Sequence, residues 1–81
     1  MNITINENEI AKCVRKSLEA YFQGLDGEKP CPIYDMVINS AEKPLLEIAM
    51  HYANGNRSKA AQLLGINRNT LRNRLLKHKI K

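Results

Sequence analysis

The chain has 81 residues, 43% of them hydrophobic and none of them tryptophan, so it can form one compact core and would gain stability by burying more surface against a second copy. Residues 1–54 carry eight acidic and five basic side chains, whereas residues 55–81 carry eight basic side chains and no acidic one. The composition excludes a membrane span, which needs ~20 consecutive apolar residues, and a secretory signal, so we expect a soluble cytoplasmic protein.

The first 32 residues are predicted to contain an arm, a helix and a loop. Residues 1–9 are mostly polar and are expected to form a flexible N-terminal arm. Apolar side chains then recur at helical spacing from position 10 to position 25, which predicts an amphipathic helix that ends between Gly24 and Gly27. The glycine and the prolines that follow predict a loop.

A second helix is predicted from Ile33 to Ala53, and its apolar surface is wider than a single stripe. A helix that is apolar on more than one side must be buried on more than one side, so we expect a second copy of the chain to cover it. Residues 10–54 are therefore the predicted dimerisation region. Pro44 either starts a new helix or kinks a single one, and we favour one kinked helix because the apolar face stays in phase across the proline.

Residues 55–81 have the layout of a helix-turn-helix, in which two helices are joined by a tight turn. Either Asn56 or Ser58 is able to cap a short third helix, predicted to end at Leu64, because both side chains accept hydrogen bonds from first-turn N–H groups. The small side chains of the alanines at positions 60–61 are expected to let the next helix cross this one closely.

The turn between these helices is predicted at Gly65, and Asn67 is predicted to cap a fourth helix from about Arg68 to Lys77. The whole chain is thus expected to be all-α, with four helices. The predicted core of the helix-turn-helix comprises Leu64, Ile66, Leu71 and Leu75, with Ile66 plugging the junction.

The fourth helix separates polar from apolar side chains. Leu71 and Leu75 point to the core, whereas Arg68 and Arg72 lie on another side. Arginine pairs with guanine and asparagine with adenine in the major groove of DNA, and a segment with eight uncompensated basic charges suits a polyanion. The predicted base-reading residues are Asn67, Arg68 and Arg72, and the predicted phosphate contacts are Thr70, Arg74 and Lys77.

These interpretations have structural alternatives. The basic segment could be a solvated surface without a partner. Asn67 could act only as a helix cap, and Thr70 could simply satisfy the first helical turn. The lysines at positions 77, 79 and 81 could form a frayed cationic tail.

The sequence offers little for catalysis or metal binding. Cys13 and Cys31 form no CxxC motif, and His51 and His78 are far apart, so we expect free thiols and no zinc site. The chain has no glycine-rich phosphate loop and no nucleophile beside a base. We therefore expect no enzyme activity, no cofactor and no small-molecule substrate.

The segment AEKPLLEIAMHYANGNRSKAAQLLGINRNTLRNRLLKHKI resembles the Fis family of bacterial DNA-bending proteins, and VRKSLEAYFQGLDG in the first helix matches as well. The likeness covers about Ile10 to Lys81. It implies an intertwined homodimer that binds and bends double-stranded DNA with little sequence preference, as a nucleoid-associated transcriptional regulator. It also implies a preference for flexible, A·T-rich centres that the protein does not touch.

The resemblance places DNA contacts in both helices of the helix-turn-helix. These positions are Asn56, Arg57 and Ser58 in the third helix, and Asn67, Arg68, Thr70, Arg72, Asn73 and Arg74 in the fourth. Asn69 departs from the small residue that is common in the family, and Asn73 from a common lysine. The nine residues before the first helix are fewer than the mobile arm of the best-known members requires, which argues against a recombination-enhancer role.

Two other functions stay open. The same helix-turn-helix ends NtrC-type transcriptional activators, so the chain could be an output domain of that type, although its start at Met1 favours a stand-alone protein. A basic adaptor that binds acidic protein partners is the other alternative. DNA binding is distinguished from it by a steep loss of affinity with salt.

Overall fold

The computed structural model describes residues 7–81, with side-chain exposure from Glu9 onward. Four α-helices and no strand occur in this range, which confirms the all-α prediction: α1 (Glu7–Gly24), α2 (Ile33–Tyr52), α3 (Arg57–Leu64) and α4 (Arg68–Lys77). The arm predicted for residues 1–9 overlaps the start of α1, and residues 1–6 lie outside the described range. No helix in residues 7–81 combines the length and the apolar character needed to cross a membrane.

The chain divides into two compact units, Met1–Val37 and Ile38–Lys81. In the described part of the first unit no side chain is fully buried, and Ile10 and Phe22 of α1 are about half exposed. The amphipathic pattern of α1 is therefore present, and part of its apolar stripe is exposed to solvent.

Tyr21 ties the loop after α1 back to the helix. Its hydroxyl accepts a hydrogen bond from the Cys31 N–H at 3.0 Å and donates one to Cys31 Sγ at 3.2 Å. The hydrogen bond with the thiol raises the pKa of Tyr21 above its ordinary value. Cys13 and Cys31 are free, exposed thiols, as predicted.

Helix α2 continues through Pro44, which confirms the prediction of a single helix across this residue. The helix is held beyond the proline by buried Leu46, Ala49 and Met50. It ends at Tyr52, one residue before the predicted end at Ala53, and the Asn54-Gly55 pair that follows has positive φ angles, 54° and 80°. Asparagine tolerates this left-handed conformation because its short side chain bonds locally.

The core of the second unit lies where α2, α3 and α4 meet. It is formed by Leu46, Ala49, Met50, Ala53, Ala60, Ala61, Leu71 and Leu75, with Leu64 and Ile80 packed against it. Ala60 is fully buried, which agrees with the expectation that small residues in α3 allow the next helix to cross closely. The packing of α4 on this core fixes which of its sides remains open to solvent.

The structure contradicts one prediction about this unit and limits one of the structural alternatives. Ile66 is 37% exposed and so does not plug the junction, because capping hydrogen bonds between backbone groups, rather than burial of its side chain, hold it in the turn. The chain after α4 is ordered up to Ile80 rather than frayed. Lys79 has a φ of 56°, and the Ile80 N–H donates a hydrogen bond to the Leu75 carbonyl at 2.9 Å. Ile80 then packs on the core, so α4 ends in an ordered cap.

Candidate nucleic-acid interface

Helices α3 and α4 are positioned by side-chain caps and a glycine turn. Asn56 Oδ1 accepts a hydrogen bond from the Lys59 N–H at 3.1 Å, so Asn56 rather than Ser58 caps α3. Gly65 ends α3 with a φ of 70°, a conformation that glycine adopts at little cost. Asn67 Oδ1 accepts the Asn69 N–H at 2.7 Å and caps α4. The predicted caps and turn are therefore confirmed.

Helix α4 has one buried side and one open side. Leu71 and Leu75 are 0% and 1% exposed. Successive residues turn by about 100° around a helix, so Asn69 and Asn73 lie opposite these leucines and Arg72 lies on the flank next to them. The open side and its flank thus present the amides of Asn69 and Asn73 and the guanidinium of Arg72, all within the first two turns of α4.

All ten predicted contact residues are exposed to solvent. Three lie at the start of α3, and seven lie along α4 and its cap: Asn56, Arg57 and Ser58, and Asn67, Arg68, Thr70, Arg72, Asn73, Arg74 and Lys77. None of them is used to fill the core. Asn69, which was not among the predicted contacts, is also exposed and lies beside Asn73 on the open side of α4.

The charges at the starts of α3 and α4 are unusual for helix stability. Each helix begins with an arginine, Arg57 or Arg68, and neither has an acidic residue in its first turn. The N-terminus of a helix carries a partial positive charge, so a cation there costs stability, typically about 0.3–1 kcal/mol. Free N–H groups together with a guanidinium form a favourable environment for a phosphate.

Glu42 of α2 contacts α4 through two basic side chains, which sequence analysis did not foresee. His78 Nε2 lies 2.7 Å from Glu42 Oε1, and Arg74 Nε lies 3.7 Å from Glu42 Oε2. The His78 side chain is 8% exposed and that of Glu42 is 18% exposed. The partners are more than 30 residues apart in the chain, and no local pattern signals such a pair.

Comparison with known proteins identifies the family of this chain. The sequence model described as "Bacterial regulatory protein, Fis family" matches residues 38–78, the stretch that holds most of α2 and all of α3 and α4. A Fis-like DNA-binding protein of Neisseria meningitidis serogroup A is 51% identical over 70 residues, which cover 86% of this chain and 89% of that protein.

Two further relatives are similar over most of their length. A Fis-like DNA-binding protein of Ralstonia nicotianae is 51% identical over 74 residues, covering 91% of this chain and 96% of that protein. The DNA-binding protein Fis of Psychromonas ingrahamii is 40% identical over 74 residues, covering 91% of this chain and 75% of that protein. The chain therefore belongs to the Fis family of bacterial regulatory proteins.

Proposed function

We propose that this protein is a homodimer that binds and bends double-stranded DNA and acts as a nucleoid-associated transcriptional regulator in the bacterial cytoplasm. One observation carries the proposal: α4 buries Leu71 and Leu75 and turns its arginines and asparagines to solvent. A helix with this distribution fits the major groove, where guanidinium and amide groups pair with base edges. The relatives named as DNA-binding proteins support the same assignment.

The contacts divide between bases and phosphates. We assign base contacts to Asn67, Arg68 and Arg72, because residues near the start of a recognition helix lie deepest in the groove. Asn73 lies at the middle of the open side of α4, next to Arg72, and we propose that it also contacts DNA. We assign phosphate contacts to Thr70, Arg74 and Lys77 of α4 and to Asn56, Arg57 and Ser58 of α3.

The exposed apolar side chains support the dimer. On α2, Ile38, Leu45, Ile48 and Tyr52 recur at helical spacing and are 40–71% exposed, and they form a strip separate from the buried residues of the same helix. We refer to these four residues as the α2 strip. Apolar surface of this extent on a small chain marks an interaction site, and a second copy that offers the same strip is its proposed occupant.

DNA bending follows from the family resemblance. In such a dimer the two copies of α4 lie closer together than successive major grooves of straight DNA, so both can bind only if the duplex curves. The curvature compresses the central minor groove. Flexible, A·T-rich centres then bind better although no side chain touches them.

DNA binding is tested by Arg68→Ala, with Lys81→Ala as the control that removes the same charge from an exposed position outside the proposed contacts. Affinity for a preferred duplex, selected from a random pool, is measured by fluorescence anisotropy at several salt concentrations. We expect Arg68→Ala to cost about 1–3 kcal/mol on the selected duplex and to flatten the preference over random DNA.

Lys81→Ala is expected to weaken binding slightly and equally on every duplex. Equal small losses for both variants on all duplexes would exclude α4 as the reading helix. A wild-type affinity that does not fall steeply with salt would favour a protein adaptor over a DNA-binding protein.

A further inference from the structure

Glu42 is an acidic residue in contact with a helix that is otherwise surrounded by basic charge. Residues 55–81 contain no aspartate or glutamate, so Glu42 brings a negative charge from α2 to the end of α4. A carboxylate near a DNA-binding surface repels phosphates, and on charge alone it would weaken binding. Its position therefore calls for a compensating role.

The carboxylate holds two groups at the C-terminal end of α4. A carboxylate only accepts hydrogen bonds, so His78 donates from Nε2 across 2.7 Å, and this imidazole is almost fully buried. The backbone N–H of His78 bonds to the Arg74 carbonyl and caps α4. Glu42 thus fixes the end of α4 against α2 through a partly buried, directional contact.

The second group is the Arg74 guanidinium, which approaches Glu42 through Nε at 3.7 Å. At this distance the contact is an ion pair rather than a hydrogen bond, and the two terminal nitrogens of the guanidinium are able to donate to a phosphate. The Arg74 side chain is 46% exposed, as such a contact requires. Holding one edge of a flexible arginine lowers the entropy that it would lose on binding DNA.

We propose that Glu42 is a positioning residue for DNA binding: it fixes the end of α4 through His78 and aims Arg74 at a phosphate. This inference rests on the proposed function. The direction in which DNA affinity changes is therefore diagnostic. Removal of an acid that acts only by its charge strengthens DNA binding, whereas removal of a positioning residue weakens it.

The test compares Glu42→Gln with Glu47→Gln, in which an exposed acid of the same helix is neutralised. Both variants gain one unit of positive charge. Affinity for the selected duplex is measured as a function of salt at a temperature where circular dichroism shows each variant to be folded. We expect Glu42→Gln to bind at least fivefold more weakly than the wild type, and Glu47→Gln to bind equally or more tightly.

The salt dependence separates positioning from a loss of stability. If Arg74 loses its phosphate contact, the slope of log affinity against log salt falls by ~0.9 for each α4 bound, whereas partial unfolding lowers affinity without changing this slope. Glu42→Asp is the second variant, because it keeps the charge but withdraws the carboxylate by one methylene. We expect it to reproduce both the weaker binding and the reduced slope.

The Arg74→Gln background completes the experiment. Glu42→Gln should have a smaller effect on DNA affinity there, since one of the two groups through which Glu42 acts is absent. If Glu42→Gln binds DNA as tightly as the wild type or more tightly, as Glu47→Gln is expected to do, the positioning role is overturned and the proposed function is left intact. A wild-type protein that binds no duplex would overturn both.

Discussion

Asn67 combines a structural and a proposed recognition role in a single amide. Its Oδ1 is engaged as the cap of α4, at 2.7 Å from the Asn69 nitrogen, while the side chain remains exposed at the start of the helix. The Nδ2 group is left to donate outward, toward the base edges in the proposed complex. A substitution that keeps the oxygen but removes the donor separates the two roles.

Asn67→Asp is that substitution. Aspartate caps helices about as well as asparagine, so we expect the free energy of unfolding to change by less than about 0.5 kcal/mol. DNA affinity should fall at least fivefold, because a carboxylate cannot donate to a base and repels the neighbouring phosphates. Thermal unfolding followed by circular dichroism measures the first quantity, and fluorescence anisotropy with the selected duplex measures the second.

Gln62→Glu is the matched control for this variant. It makes the same amide-to-carboxylate change on an exposed residue of α3 that is not a proposed contact. If both variants lose the same small amount of affinity, Asn67 acts only as a cap. A lower melting temperature for Asn67→Asp alone would mean that the cap itself depends on the amide.

At the scale of the elements, local signals account for what the sequence predicts correctly. The caps Asn56 and Asn67 and the turn at Gly65 depend on residues within four positions of one another, so the residue types at these positions identify them. The contact between Glu42 and His78 joins two helices that are distant in sequence, and only the packed fold brings them together.

Apolar character alone is a weaker signal than capping chemistry. It predicted correctly that Leu71 and Leu75 are buried, because both lie on the side of α4 that packs on the core. It failed for Ile66, whose place is set by the hydrogen bond from its N–H to the Ala61 carbonyl at the end of α3. Residues 65–67 connect α3 to α4, and the geometry of this turn determines how exposed each of them is. Hydrophobic periodicity does not describe that geometry.

Among the elements, α2 carries the clearest prediction about assembly. Ile48 lies in the middle of the α2 strip and is 58% exposed in the single chain. Burial of an isoleucine contributes about 1.5–3 kcal/mol, and each change occurs twice in a symmetric dimer. Ile48→Glu should therefore raise the dimer dissociation constant at least tenfold, as measured by sedimentation equilibrium at micromolar concentration.

Lys43→Glu is the control for this experiment, because it places a glutamate at an exposed position of α2 outside the strip. It should leave the dimer intact. A wild-type chain that sediments as a monomer, or an Ile48→Glu variant that dimerises as tightly as the wild type, would contradict the proposed interface.

At the scale of the whole molecule, the uneven charge has a consequence for recognition. The acidic residues all precede position 55, so the basic surface that is proposed to face DNA is confined to the C-terminal third of each chain. In the proposed homodimer each chain contributes one such basic unit, and the proposed bending requires the two units to bind the duplex on either side of a centre that neither contacts. The stiffness of this central DNA is then part of the binding free energy.

This leads to a prediction about DNA that the protein does not touch. Two duplexes are compared that have identical flanking sequences and either an A·T-rich or a G·C-rich centre. Affinity should be roughly tenfold higher for the A·T-rich duplex, because bending a site of about 20–30 base pairs costs on the order of 1–6 kcal/mol and this cost depends on the stiffness of the central steps. Fluorescence energy transfer between labels at the duplex ends should increase on binding, since the ends approach each other when the duplex bends.

A single-strand nick at the centre of the G·C-rich duplex separates stiffness from direct contact. The nick leaves every base pair in place but makes bending easy, so it should restore most of the lost affinity if deformation is the cause. If the nicked duplex binds as weakly as the intact one, the preference comes from side chains that reach the centre. If energy transfer does not change on binding, the two copies of α4 engage straight DNA and the bending proposal is wrong.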